Sequence, residues 1–474
     1  MSAILAHDSG VTLRLRSLLH ASLPARYAER MANPTRGTRS DAVRLIAASS
    51  VPNLVQWVNL YVYAGFAPYF RTAFFDPADE NSLIWVYAVF AVTFVMRPVG
   101  SWIFGRIADR RGRRPALIGA VSLMAACSLV LAVCPSQARI GGWAAVVLVL
   151  IGVVQGIATG GEYGTAAVAL TEAATSNRRG FFASFQSATI VGGLVVAQVM
   201  LLVTLAVGGR AGASTWGWRG AFAVAGLAAL PVIWSALRAR SAAPRPVASA
   251  LRGSMRILLT QHWRALGWVM LLTAGGTAAF YTLTVSVPQE IRETMRTARG
   301  DVGELQATVA VIVALVVLMI LQPVGGALSD RVGRRPLLVF FGVAGIVVAP
   351  LLLWGANALT DVAAITTMLV IAAVVITGYL SVNGVAKAER FPPEVRALGV
   401  GFGYAIANSL FGGTAPLLLH ASRRAGHEPW FAVYLCALIV VTLAAALAAR
   451  GKAPHRPRHP EHHAGGGSGP HPPA

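Results

Sequence analysis

Arg97 and Glu162 are the two ionisable side chains that fall deep inside long apolar stretches of this sequence, away from their ends. A charge at the centre of an apolar layer costs roughly 3 kcal/mol or more unless it faces a cavity or a partner. Such residues therefore mark function. A guanidinium presents a planar fork that matches a carboxylate in two places, and a lone glutamate can take up and release a proton. Two readings of the pair stand side by side. In one, Arg97 holds an anionic substrate and Glu162 couples its movement to protons. In the other, the two are an ion pair that fastens their helices together.

Polar residues recur near these charges at helical spacing. Asn53, Gln56, Asn59 and Tyr63 form one such stripe, and Gln155, Thr159 and Glu162 a second. Thr273, Thr277, Tyr281 and Thr284 form a third, and Thr377 and Ser381, with Asn383 nearby, a fourth. Hydrogen bonding between helices produces stripes of this kind, but four at matching places point to a shared aqueous pathway. From them Arg97, Gln56, Asn59, Tyr63, Tyr281 and Asn383, together with Gln186, are the candidate substrate-binding residues.

The elements that carry these residues are long. The chain has 474 residues, 55% hydrophobic and 12% charged, with a net charge of +21 and a mean hydropathy of +0.62. Soluble proteins carry about a quarter charged residues, which excludes an ordinary soluble enzyme. Twelve apolar stretches are expected to cross a bilayer, at about 43–70, 82–105, 115–134, 143–172, 181–207, 219–237, 266–288, 304–328, 336–357, 361–386, 397–420 and 429–449. Each is near the ~20 residues a membrane helix needs, and only helices satisfy the backbone in runs of this kind.

A charge of +21 also raises nucleic-acid binding, but the basic residues sit between spans. Arg106, Arg110, Arg111, Arg113 and Arg114 follow the second span, Arg331, Arg334 and Arg335 the eighth, and Arg390 and Arg396 the tenth. The odd-numbered connections hold Asp76, Asp79, Glu80, Glu290, Glu293 and Asp301 instead. Positive charge kept on the cytoplasmic side places both termini there. Cys127, Cys134 and Cys436 lie in spans and read as small apolar packing residues. No metal site, cofactor or catalytic group is expected.

GRIADRRGRRP at 105–115 and GALSDRVGRRP at 326–336 place Asp109 and Asp330 221 residues apart. A second echo joins RRGFFASF at 178 to VRALGVGF at 395. Both copies follow even-numbered spans and share an orientation, so the chain reads as two parallel six-helix halves of an all-α major facilitator fold. The expected organisation is a cytoplasmic extension (1–40), an N-terminal half (41–238), a connector (239–264), a C-terminal half (265–449) and a His/Pro/Gly-rich tail (450–474). No cleaved targeting segment is evident before Arg30, and Met31 offers a second start. In the repeated motif Gly105 is expected to allow close approach, with Asp109, Arg113, Asp330 and Arg334 forming a network that biases one of two conformations.

Residues 96–115, 154–167 (VQGIATGGEYGTAA), 178–186 (RRGFFASFQ) and 387–415 (KAERFPPEVRALGVGFGYAIANSLFGGTA) resemble the metabolite:proton symporter family of the major facilitator superfamily. The resemblance covers about residues 40–450. It implies proton-driven uptake of small carboxylates or zwitterions across a bacterial inner membrane by a monomer, with a 2-oxoglutarate-like dicarboxylate as the preferred substrate. Citrate, shikimate and proline or betaine are the family's other substrates. The chain departs from the family where coupling chemistry belongs. NLVQWVNLYVY (53–63) has Gln56 and Asn59 in place of two acids, and Gly152 stands where the family's fourth-span arginine belongs. Loss of both signs together leaves no unpaired buried charge. Coupling then rests on Glu162, or is lost and the chain is an uncoupled facilitator or a non-transporting sensor. ATP-driven transport lacks its motif, since Gly451-Lys452 is followed by Ala453.

Overall fold

A computed structural model describes residues 39–111, 113–161, 163, 170–171, 178–238 and 254–449, the side chains of 39–49 and 108–114 excepted. Every regular element among the described residues is helical. Among the described residues nine stretches are long and apolar enough to cross a membrane, and two of them, Arg179–Arg238 and Trp263–Val332, are each long enough for two spans. The helix Arg39–Phe74 is long enough to cross as well, although its polar stripe lowers its hydropathy. Twelve spans result, and the all-α, twelve-helix expectation holds.

The first span is Arg39–Phe74, the second Ser82–Ile107, the third Pro115–Val133 and the fourth Trp143–Gly160. The fifth, Arg179–Gly212, turns at Gly209, whose φ of 59° suits glycine. A π-turn at Ala213–Gly217 leads into the sixth, Trp218–Leu227 and Ala229–Arg238. The seventh, Trp263–Tyr281, passes through a π-turn at Thr282–Ser286 into Val287–Val332, which turns at Gly300 (φ 62°) and continues as the eighth. Arg334–Ala358 is the ninth and Val362–Ala388 the tenth. Arg396–Ala407 with the π-turn Asn408–Gly412 and Ala415–Arg424 makes the eleventh, and Glu428–Ala448 the twelfth.

The first helix of each half begins at Arg39 and Trp263. Part of the expected connector is itself a helix, Met255–Gln261, capped by the Ser254 hydroxyl accepting from the Ile257 amide at 3.4 Å. The extension before Arg39 and the tail from 450 lie outside the described residues, as does most of the connector.

Glycines set how closely the helices approach. On the fourth span Gly152, Gly156 and Gly160 recur every four residues and face the second span. A Cβ at Gly156 would lie 2.2 Å from the Thr93 carbonyl oxygen, and one at Gly160 2.0 Å from that of Arg97. From the second span, Gly100 approaches Ile157 as closely. This seam of small residues brings backbones together and fixes the height of Arg97. At Gly152 a Cβ would meet Val89 Cγ1 at 2.9 Å and Thr93 Oγ1 at 3.3 Å, so an arginine there would displace the second span. Gly105 has no such part: a Cβ there meets nothing within 4 Å, and the close approach expected of it is made by Gly100.

Trp85, Trp102, Trp143, Trp354 and Trp430 are exposed on the bundle surface, as lipid-facing positions would be. Cys127 and Cys134 are buried and, with Cys436, free.

Candidate functional site

Arg97 lies in the second span and is 2% exposed. Its guanidinium carbon lies 3.7 Å from the centroid of the Phe94 ring and 5.5 Å from that of Trp57. Its Nε and Nη2 have no hydrogen-bond partner, and no ion pair joins it to a carboxylate among the described residues. Buried polar atoms are nearly always paired, so these two nitrogens are exceptions among the described residues. Other orphans accompany them: the Tyr61 and Tyr281 hydroxyls, Gln155 Nε2 and Asn408 Nδ2.

Aromatic rings wall this region. Tyr281 of the seventh span stands edge-on to Phe94 at 5.0 Å, and Trp57 stacks on Tyr61 at 5.4 Å. Thr277 donates to Asn408 Oδ1 in the π-turn of the eleventh span. The Ser409 hydroxyl donates across to the Phe94 carbonyl.

The two halves also meet beside the fourth span. The Tyr163 hydroxyl donates to Asn383 Oδ1 at 2.6 Å, and its ring stacks on Tyr404 at 3.5 Å. Gln186 Nε2 donates to the Tyr163 carbonyl at 3.0 Å, and Ser187 Oγ donates to that of Leu380 at 2.7 Å. Lys387 enters from the tenth span with no exposed surface. Its Nζ donates to Asn383 Oδ1 at 3.0 Å and to the Tyr379 hydroxyl at 3.4 Å, with the Tyr404 centroid 4.7 Å away.

Of the residues picked from the sequence, Arg97 and Tyr281 share one wall, and Gln186 and Asn383 share the interhalf contact at Tyr163. Asn59 and Tyr63 do not join them. Asn59 Nδ2 donates to the carbonyls of Val55 and Ala225, and the Tyr63 hydroxyl to that of Val86. Both serve packing inside the N-terminal half. Gln56 Nε2 donates to the Ala158 carbonyl at 3.2 Å. The first span is rotated so that Trp57 and Tyr61, rather than Asn59 and Tyr63, face Arg97. Glu162 lies outside the described residues, as do the side chains of Asp109 and Arg113.

Four further charges are buried among the described residues: Lys387, Glu290, Arg292 and Glu304. Each sits near a helix end in sequence, where a long side chain would normally reach water. Lys387 stands directly before the Ala-Glu-Arg that ends its span, so its place in the chain reads as topology. The detectable signal is the tyrosine eight residues earlier, two turns back on the same helix face.

Contacts bridge both ends of the bundle. At the end carrying the repeated motif, Asp330 Oδ1 and Oδ2 accept from the Gly180 and Phe181 amides at 2.8 and 2.9 Å, where the fifth span begins. Arg334 donates to Asp330 at 2.9 Å and to Ser329 at 2.8 Å. At the other end Glu304, 2% exposed, accepts from Arg210 at 2.9 Å and from the Tyr69 hydroxyl at 2.5 Å. Arg292 donates to Gln198 there, and Arg424 pairs with Glu80. Among the described residues no group of three His, Cys, Asp or Glu could hold a metal ion.

The sequence matches a model of the Major Facilitator Superfamily over residues 53–416 and 295–472. The alpha-ketoglutarate permease of Escherichia coli strain K12 is 36% identical over 418 residues, covering 86% of this chain and 95% of the permease. A citrate-proton symporter of Klebsiella pneumoniae is 32% identical over 82% of this chain and 86% of its own. The proton:xylose symporter XylE, in a structure with 6-bromo-6-deoxy-D-glucose, superposes with a TM-score of 0.68 over 86% of this chain and 95% of that one, at 17% identity. That likeness concerns the fold.

Proposed function

We propose a substrate and a mechanism on one premise: this chain belongs to the major facilitator superfamily, a family of transporters and not of enzymes. The substrate is a small organic anion, a 2-oxoglutarate-like dicarboxylate, carried across a bacterial inner membrane by a monomer with both termini inside. The observation that carries this reading is the Arg97 fork, buried and short of partners on Nε and Nη2. A carboxylate supplies two parallel acceptors to such a fork, and the unpaired Tyr61 and Tyr281 hydroxyls supply donors for its remaining oxygens.

Movement follows from alternating access. The Asp330 bridge and the Glu304 bridge lie about 39 Å apart along the eighth span at 1.5 Å per residue, and each closes one end. Release of one with retention of the other exposes the site to one side of the membrane, and a ligand that contacts both halves favours the closed intermediate. Asp109 and Arg113 act with Asp330 and Arg334 in this switching.

Proton coupling rests on Glu162. Gln56 and Asn59 donate to backbone carbonyls from the positions where the family keeps acids, a bond an ionised carboxylate does not make. The same observation favours a second reading, an uncoupled facilitator. Uptake of labelled 2-oxoglutarate into proteoliposomes, with and without an imposed proton gradient, separates the two. We expect gradient-driven accumulation in the wild type, equilibration without accumulation in Glu162→Gln, and no flux in Arg97→Ala. Accumulation that persists in Glu162→Gln removes that residue from coupling, and wild-type binding of 2-oxoglutarate without flux would mark a sensor.

A further inference from the structure

We propose that Lys387 is the second carboxylate-binding cation of the site, so that Arg97 of the N-terminal half and Lys387 of the C-terminal half each hold one carboxylate of a dianion. The inference rests on the anion reading of Arg97 and deepens it, because it fixes how many charges the ligand carries.

Lys387 occurs in the last turn of the tenth span. A lysine there would ordinarily extend its ammonium to water, yet this one has no exposed surface. Among the described residues it meets no carboxylate. Its surroundings are Asn383 Oδ1 and the Tyr379 hydroxyl, with the Tyr163, Tyr379 and Tyr404 rings 5.6, 5.7 and 4.7 Å from Nζ. An ammonium has three donors, and two are used. The rings soften the charge without neutralising it. A buried cation lacking a counter-ion is strongly unfavourable, and among the described residues Arg97 meets no carboxylate either.

The two cations belong to one site. The Tyr404 ring faces Lys387 at 4.7 Å, and five residues on in the same span the Ser409 hydroxyl donates to the carbonyl of Phe94, the residue whose ring packs on Arg97. A ligand of charge −2 brings each cation its counter-ion. A monoanion leaves one cation unmatched, and a zwitterion brings its own positive centre toward one of them. The arrangement therefore selects a dicarboxylate over a monocarboxylate or a betaine. It also ties binding to conformation, since the ligand's two ends pull on opposite halves beside the Tyr163–Asn383 hydrogen bond.

The test measures binding of 2-oxoglutarate and of 2-oxopentanoate, the same chain without its second carboxylate, to purified full-length protein by calorimetry. The wild type is expected to prefer the diacid by roughly tenfold to a hundredfold. Lys387→Gln is expected to erase that preference while binding 2-oxopentanoate about as the wild type does. A variant that keeps the full preference overturns the role of Lys387 and leaves the Arg97 reading intact. A wild type that binds neither compound overturns the anion reading, and this inference with it. Should Lys387→Gln not fold, Lys387→Arg serves instead. Its longer side chain is expected to move the optimum from the five-carbon to the four-carbon 2-oxo diacid, and an unmoved optimum overturns the proposal.

Discussion

Asp330 Oδ1 accepts the backbone amide of Gly180 at 2.8 Å, across 150 residues of sequence and between the two halves of the bundle. The approach needs glycine. A Cβ at Gly180 would lie 2.5 Å from the Gly326 carbonyl oxygen and 2.9 Å from the Asp330 carboxylate itself. Asp330 thus caps the fifth span from the other half, with its charge at the positive end of the helix.

Asp330→Ala removes the acceptor for two amides and the partner of Arg334. A cap and dipole contact of this kind is worth about 1–2 kcal/mol, so opening at this end is expected to rise by roughly five- to thirtyfold. Alkylation of a cysteine placed at Ser184, buried beside the contact, reads it out. Unchanged alkylation would show that the cap does not hold this end shut.

Glu304→Gln addresses the opposite end. The amide keeps an acceptor for the Tyr69 hydroxyl but loses the charge that holds Arg210. A hydrogen bond to a charged group is worth about 1.5–3 kcal/mol, so a cysteine at the buried Gln198 position is expected to react about tenfold faster or more. The Ser184 reporter should slow in the same variant, because the two ends open alternately. Faster reaction at both places would mean loosening of the fold rather than gating.

Arg97→Lys keeps the charge and removes the fork. We expect uptake to survive with KM raised by about tenfold or more, from the loss of one charge-assisted hydrogen bond. A KM equal to the wild type's would show that only charge matters at this position.

Gly156→Ala sets a methyl group 2.2 Å from the Thr93 carbonyl oxygen, whereas Gly105→Ala meets nothing within 4 Å. Overpacking costs about 1–3 kcal/mol. The first variant is therefore expected to lower the Tm by several degrees and to weaken transport, because the same seam positions Arg97, while the second leaves both unchanged. Equal behaviour of the two would refute the seam.

Glu293 lies in the connection between the seventh and eighth spans and is half exposed. The hydrogen bond from Arg296 holds its carboxyl below the ordinary value of 4.5. A lowered value gives stability that is complete above the unfolded-state pKa and lost as pH falls through the folded-state one. Both lie in the acid range, so the pair contributes a constant amount between pH 5 and 8, less than about 1 kcal/mol at this exposure. Glu293→Gln is expected to leave the pH profile of transport unchanged across that window, and a shifted profile would overturn this.

The sequence alone determined the twelve apolar spans, the internal repeat and the position of Arg97 within an apolar run, because these depend on local composition and on a repeat offset. Asp330 and Arg334 were legible for the same reason, through the echo of their motif. Tertiary structure decided which face of each helix looks inward. A helix places side chains about 100° apart, so a modest rotation of the first span brings Trp57 and Tyr61 toward Arg97 and leaves Asn59 and Tyr63 against the sixth and second spans. It also decided the state of Lys387. Sequence places that lysine at a helix end, where water is the usual neighbour. Tyr379 lies eight residues before it on the same helix, but Tyr404 and Tyr163, 17 and 224 positions away, enclose it only because helix packing brings them there, not through any local pattern.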